Sequence, residues 1–444
     1  MLTCANHILG KERLFFSPQR DERRGWMGDA ALTVNEALYN FDFVKFYLNF
    51  LNLIVDVQQS NGQVPDYVPG SHYPSDPNWG TAFPTIVWQV YRHTNDTKIL
   101  QTYYENVRNY VQSVYNGYNK TGLVNLFCRH GDWVPPSPYN QTNQHLTSSF
   151  AFLHDVALLL NMSRILGISN DTAIYSALYN QLAAEFHRVF YNTTLHFYAD
   201  GMQAAQILAL ALPDVVPVDL RSAVVDYLVT NITKTGNHET AGIVATAQLY
   251  PVLSDNGHHD LALELISSIT YPSYGYMFNN PYENATTIWE LWDAPFEGPH
   301  MNSRNHHMYA SVGAWFYSHL AGIDLSSDMI TIRPKMASEA KKHLMTKLDC
   351  QLSTLYGLVH VSYTRDERDT VANSIRLRLT IPPNVQARVI FEPLFPGGQC
   401  VELIEGNRTI RSADSEFNIE KDPATGSMSV PIGSGHYEFQ AIWH

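Results

Sequence analysis

Two acidic stretches that also carry tryptophan stand where the helical patterning of this sequence pauses, and in the second a glutamate is wedged between indoles. Glu22 lies in Pro18-Gln19-Arg20-Asp21-Glu22-Arg23-Arg24-Gly25-Trp26-Met27-Gly28-Asp29, and Glu290 lies in Thr286-Thr287-Ile288-Trp289-Glu290-Leu291-Trp292-Asp293. A carboxyl against an indole is desolvated on one side, which lifts the pKa of an acid or tunes a base. Two such groups flanking one bond can do general acid–base work: one protonates a leaving oxygen while the other activates water. Two further stretches share the character, His130-Gly131-Asp132-Trp133 and Asn302-Ser303-Arg304-Asn305-His306-His307. Adjacent histidines are usually a surface accident, but these follow Glu290 closely enough to share its pocket. The plain alternative for the first stretch is a solvated charge run capping a helix. Trp26, set between Gly25 and Gly28, argues against it.

The elements that must position these residues change type once along the chain. Residues 27–321 read as helices. Ile99, Leu100, Tyr103, Val107, Tyr110 and Val114 recur at three and four, as do Ile174, Leu178, Leu182, Phe186 and Val189, and Leu261, Leu265, Ile266 and Ile269. Punctuation by Gly, Pro and Asn divides the region into about twelve segments, near 28–41, 43–59, 80–94, 97–115, 146–166, 171–190, 202–212, 217–234, 240–253, 258–269, 286–293 and 306–321. Twelve helices in pairs predict a mainly α fold, an (α/α)6 toroid whose loops at one end form a central pocket. After Gly322 the period becomes two. Val359, Val361 and Tyr363 alternate with polar neighbours, as do Ile375, Leu377, Leu379 and Ile381, then Val385, Ala387, Val389 and Phe391, and finally Tyr437, Phe439, Ala441 and Trp443. This predicts a C-terminal antiparallel β-sandwich. The domains are expected at residues 1–322 and 323–444.

Composition narrows the function. With 45% hydrophobic and 16% charged residues the chain is globular, and a net charge of −13 argues against a nucleic-acid or anionic-membrane surface. The most apolar stretch, residues 43–57, is broken by Lys45, Asn49, Asn52 and Asp56, so no membrane span is expected. Cys4, Cys128, Cys350 and Cys400 are scattered, which supports neither a zinc site nor a dense disulfide framework; no metal or other cofactor is expected. Nine N-x-S/T sequons, at Asn95, Asn119, Asn140, Asn161, Asn170, Asn192, Asn231, Asn284 and Asn407, point toward a secreted or lumenal glycoprotein. Residues 1–10 lack the apolar core of a signal peptide, so localisation stays open.

Taken in order, these blocks resemble glycoside hydrolase family 78, the α-L-rhamnosidases. The resemblance runs from residues 18–30 through Gly131-Asp132-Trp133, residues 251–258, Tyr271-Pro272-Ser273-Tyr274-Gly275-Tyr276-Met277, Thr286-Thr287-Ile288-Trp289-Glu290, Met301-Asn302-Ser303 with Asn305-His306, and Arg333-Pro334-Lys335. It implies an inverting glycosidase that releases terminal α-L-rhamnose from a glycoside or polysaccharide. Glu22 matches the family's general acid and Glu290 its general base. Trp26, Trp79 and Trp133 match aromatic residues lining the sugar pocket, where rings can cover the apolar C6 methyl of rhamnose. Arg20, Asp29 and His306 match polar residues that bind hydroxyls; Asp21, Asp132 and Trp289 lie in the same blocks and are taken as sugar-binding. For Glu22 to hold a proton, burial against Trp26 and nearby acids must outweigh Arg20, Arg23, Arg24 and a helix N-terminus.

The sequence also departs from the family. Phe16 stands where a sugar-binding Asp is usual, and Thr81 replaces a second acid in Trp79-Gly80-Thr81-Ala82. The β-domains that precede the signature in the family are absent, as expected of a fragment or a late gene start. Two alternatives follow from the lost acids: a carbohydrate-binding pseudo-enzyme of the same fold, and a toroidal glycosidase acting on another deoxy- or uronic sugar.

Overall fold

The computed structural model describes residues 24–298, 302–325, 329–365, 374–394, 398, 400–406, 408–410, 419–423 and 425–443. Glu22, Arg20, Asp21 and Phe16 lie outside them. The described residues group into two compact units. One holds those of Met1–Tyr91, Asp96–Val252 and Leu265–Val312, and the other those of Arg92–Asn95, Leu253–Glu264 and Gly313–His444.

Ten helices follow in sequence: α1 (Met27–Asn40), α2 (Val44–Val57), α3 (Ala82–Thr94), α4 (Thr97–Thr121), α5 (Gln144–Ile165), α6 (Ser169–Phe190), α7 (Gln203–Ala211), α8 (Val218–Lys234), α9 (Ile243–Asp255) and α10 (His259–Ser267). Their burial alternates as paired inner and outer rings require. Helix α4 is amphipathic, with Ile99, Leu100, Tyr103, Val107, Tyr110 and Val111 on its buried face. Its start is capped by Asp96, which accepts the Lys98 N–H. Helix α5 is buried on nearly every side, from Leu146 to Ser163, and α7 likewise from Gln203 to Leu210. A helix with no polar face must sit inside a ring of others. The fold is the mainly α toroid with C-terminal sheets that the periodicity predicts.

Local expectations needed correction. Residues 286–293 form irregular chain rather than a helix, and 306–321 breaks into a 3-10 turn (Met308–Ser311), an α turn (Val312–Trp315) and a π turn (Phe316–Leu320). The buried face of α6 is Tyr175, Tyr179, Leu182, Ala183, Phe186 and Phe190, which leaves Ile174 exposed. Tyrosines win because each buries a ring while its hydroxyl finds a partner, as Tyr179 does on the Pro213 carbonyl at 2.6 Å. Ile269 lies past the end of α10 and is exposed.

Two short antiparallel pairs lie in the helical region, β1 (Gly25–Trp26) with β2 (Tyr67–Val68) and β3 (Tyr191–Asn192) with β4 (Phe197–Tyr198). The other strands are β5 (Ile323–Asp324), β6 (Ile330–Ile332), β7 (Lys347–Thr354), β8 (Gly357–Thr364), β9 (Ser374–Ile381), β10 (Ala387–Phe391), β11 (Cys400–Glu405), β12 (Arg408–Ile410), β13 (Glu420–Lys421), β14 (Met428–Ile432) and β15 (Gly435–Trp443). They form two sheets, ordered β13-β14-β10-β6-β5 and β12-β11-β15-β9-β8-β7. Phe391 of the first meets Phe439 of the second with ring centroids 5.7 Å apart, between buried rows such as Val359, Val361 and Tyr363. One pairing is parallel, Ala387 opposite Ile330. Parallel neighbours need a long crossover, supplied here by β7, β8 and β9 running through the other sheet.

Candidate active site

Asp29 occupies the first turn of α1, and His306 lies 277 positions later in the segment before Met308–Ser311. Asp29 Oδ1 is 2.7 Å from His306 Nε2. The other imidazole nitrogen, Nδ1, lies 3.7 Å from Glu290 Oε2, close but beyond hydrogen bonding. The Ser303 N–H donates to the same Glu290 oxygen at 2.9 Å, while the Glu290 N–H donates to the Ser303 carbonyl at 2.9 Å. The His306 N–H is held by the Ile288 carbonyl at 2.7 Å. Two irregular strands of chain, 288–290 and 303–306, thus pin each other and set the carboxylate facing the imidazole. All three side chains are nearly sequestered, with Asp29 3%, His306 5% and Glu290 1% exposed. Low dielectric strengthens such an Asp–His–Glu array, and an oriented carboxylate beside an imidazole is suited to taking a proton from water.

A second group is aromatic. The β1–β2 pairing holds Trp26 opposite Tyr67, with the rings edge-on at 5.0 Å. Trp79 packs so closely on α1 that a Cβ at Gly28 would come within 2.5 Å of its indole, so only glycine fits there. His130 lies against Trp79 at 4.2 Å and edge-on to Trp133 at 5.7 Å and Trp26 at 6.1 Å. Below this wall sit two buried acids that sequence reading missed. Asp76 caps the short helix Pro77–Gly80 through Asn78 N–H (2.9 Å), and its other oxygen accepts the Arg129 and His130 N–H groups at 2.6 Å each. Asp66 accepts the Asp76 N–H at 2.8 Å, pairs with Arg129 and lies 2.9 Å from His72. Burial pushes Asp66 up, but His130, the Asp76 amide and Arg129 outweigh it and hold its carboxyl below the usual range. The Asp-Pro pair at 76–77 is a helix-start signature that could have revealed one of the two.

Several expected ligands take supporting positions. Asp132 is 1% exposed and accepts the N–H groups of Gly242 (2.8 Å), just before α9, and of Val244 (2.9 Å) and Ala245 (3.0 Å) in its first turn. Burial lifts its pKa to about 6 although the three amides pull it down. Its carboxylate accepts these backbone amides and so ties the Trp133 loop to the start of α9. Gly242 permits the approach, since a Cβ there would lie 2.2 Å from the Asp132 carbonyl. Trp289, 1% exposed, is covered by the Arg304 guanidinium 5.4 Å from its ring, and Arg304 pairs with Glu283 at 2.8 Å. Trp26 and Trp133 are half-buried, whereas Trp79 is 3% exposed. Thr81 donates to the buried Asp155 at 2.5 Å, so an acid lies one helix away from the one missing at position 81. Among the described residues no cluster of three or more His, Cys, Asp or Glu could hold a metal ion, and no helix is long and apolar enough to cross a membrane.

Residues 17–320 match the family model of the bacterial alpha-L-rhamnosidase 6 hairpin glycosidase domain. The chain is 29% identical to an alpha-L-rhamnosidase of Formosa agariphila over 98% of its length and 47% of the relative's. A Streptomyces avermitilis alpha-L-rhamnosidase is 30% identical over 84% of this chain and 35% of its own. The chain therefore spans half or less of the curated relatives it matches. Among solved structures, the alpha-L-rhamnosidase from Dictyoglumus thermophilum has a TM-score of 0.86 at 32% identity, covering 99% of this chain and 49% of that one. The Streptomyces avermitilis enzyme complexed with L-rhamnose has a TM-score of 0.82 at 28% identity, covering 96% and 39%.

Proposed function

This chain belongs to the bacterial α-L-rhamnosidase six-hairpin glycosidase family, and we propose that it hydrolyses terminal α-L-rhamnosides with inversion, using Glu290 as general base and Glu22 as general acid. The observation that carries this reading is the buried Asp29–His306–Glu290 array, which joins the start of α1 to the segments 288–290 and 303–306. Asp29 fixes the imidazole, the Ser303 amide fixes one Glu290 oxygen, and Glu290 takes a proton from the water that attacks C1. Glu22 protonates the departing glycosidic oxygen from the other face, at a separation of roughly 6.5–9.5 Å that admits the water. Trp26 and Trp133 cover the apolar C6 corner of the sugar. The substrate is a rhamnose-containing glycoside or polysaccharide. The catalytic domain is assigned to residues 1–322 and the β-sandwich to residues 323–444.

Turnover of an aryl α-L-rhamnoside against a panel of other aryl glycosides tests the substrate, and proton NMR of the first-formed sugar tests the stereochemistry. Release of β-L-rhamnose is expected. Release of α-L-rhamnose overturns inversion, turnover of another glycoside alone overturns the sugar, and binding without turnover overturns the enzymatic reading.

A further inference from the structure

His130 has surroundings that packing alone does not require. Three indoles encircle its ring, at 4.2 Å, 5.7 Å and 6.1 Å. Its backbone is anchored on Asp76 and its Nε2 lies 3.4 Å from Asp66 Oδ2. The Asp66 side chain is fully buried, whereas 15% of the His130 side chain is exposed. No hydrogen bond to Nδ1 is made among the described residues. A ring that only filled space here would serve better as Phe, because a buried polar ring is costly unless its nitrogens find partners.

We propose that His130 contacts the bound sugar directly, its Nδ1 accepting a hydrogen bond from one ring hydroxyl while Asp66 keeps the proton on Nε2. The inference rests on the rhamnosidase reading and deepens it by naming a specificity residue. Indoles grip the sugar's apolar patches without telling one hydroxyl from its absence; an oriented acceptor does, since a site built for a hydroxyl rejects the analogue lacking it. Asp66 sets the tautomer, the usual part of a carboxylate behind an imidazole.

The test is steady-state kinetics of the whole chain with an aryl α-L-rhamnoside and its 2-, 3- and 4-deoxy analogues. Wild type is compared with His130→Phe, which keeps an aromatic ring in the wall, and His130→Gln, which restores an acceptor; melting curves verify folding. His130→Phe is expected to lose about tenfold in kcat/KM on the parent substrate. On one deoxy analogue it should lose nothing relative to wild type, because the hydroxyl it served is gone. His130→Gln should recover part of the loss. Equal losses on every analogue, or none on the parent, overturn the inference and leave His130 as packing. If wild type binds L-rhamnose without turnover, the same comparison is read as Kd from tryptophan fluorescence. If wild type neither hydrolyses nor binds, the rhamnosidase reading itself falls, and this inference with it.

Discussion

The two halves of the site are held in different ways. On the aromatic side, buried acids grip backbone: Asp76 takes the amides of Arg129 and His130, and Asp132 takes three amides at the start of α9, those of Gly242, Val244 and Ala245. On the carboxylate side, one side chain grips another, Asp29 on His306, with Glu290 beyond. Backbone anchoring fixes where a loop lies and tolerates change in the side chains it carries. A side-chain relay fixes protonation and orientation, and fails when any member changes. Substitutions on the relay should therefore cost catalysis, and those on the anchors should cost stability.

The largest effect is expected at Glu290. Glu290→Gln should lower kcat by about 10³-fold or more for good and poor leaving groups alike, whereas Glu22→Gln should spare aryl leaving groups of low pKa. Equal damage across leaving groups in both variants would show that the roles are misassigned. Asp29→Asn comes next. Loss of the charge that orients His306 should lower kcat/KM by about 10²-fold with little change in melting temperature, measured side by side. If melting falls instead, the relay is an anchor and the contrast collapses. Asp76→Ala is the opposite probe. Removing a cap and two loop contacts should cost about 2 kcal/mol, seen as a Tm several degrees lower. An unchanged Tm would mean that the loop is held elsewhere.

The smallest effect concerns Glu239, which is 2% exposed and 3.5 Å from the Tyr250 hydroxyl. Burial lifts its pKa to about 8, against a smaller lowering by that tyrosine. Because the folded pKa lies above the ordinary 4.5, its contribution is fully present below about pH 4.5 and is lost as pH rises through 8. Glu36, lifted by burial to about 7, acts in the same direction over a lower window. Melting temperature should fall between pH 5 and pH 8.5, and Glu239→Gln should raise it at pH 8.5 by the equivalent of about 1 kcal/mol while leaving pH 5 nearly unchanged. A variant that tracks wild type at both pH values would refute the assignment.

Much of this was legible in the sequence, and the misses have physical reasons. Spacing of three and four, together with Gly, Pro and Asn punctuation, located ten of the expected helices, because amphipathic faces repeat and breaks mark their ends. The period misplaced the face of α6 because it counts Ile174 and Tyr175 as equally able to lie inside. Residues 286–293 passed for a helix because Ile288, Leu291 and Trp292 recur at the right intervals, yet the segment is pinned by 303–306, a partner that periodicity cannot see. Asp29, His306 and Glu290 were named from motif blocks, and the hydrogen bond between the first two links distant blocks. Asp132 drew notice beside Trp133, but the backbone amides that its carboxylate holds could not be read from the block. Asp66 went unnoticed because a lone acid in a loop shows no pattern until the amides around it are known.

The bond between Asp29 and His306 has a consequence for how the protein is made. Synthesis runs from one end, so Asp29 exists for 277 residues before its partner is translated. Helix α1 and the segment Met308–Ser311, which pack together, are likewise made far apart in time. A nascent chain holds every indole of the wall well before it holds a working relay. Ribosome-arrested chains ending before residue 306 are expected to show no hydrolysis, and those extended well beyond it should gain activity abruptly. Gradual gain along the length series would show that the ring does not have to close for the site to work.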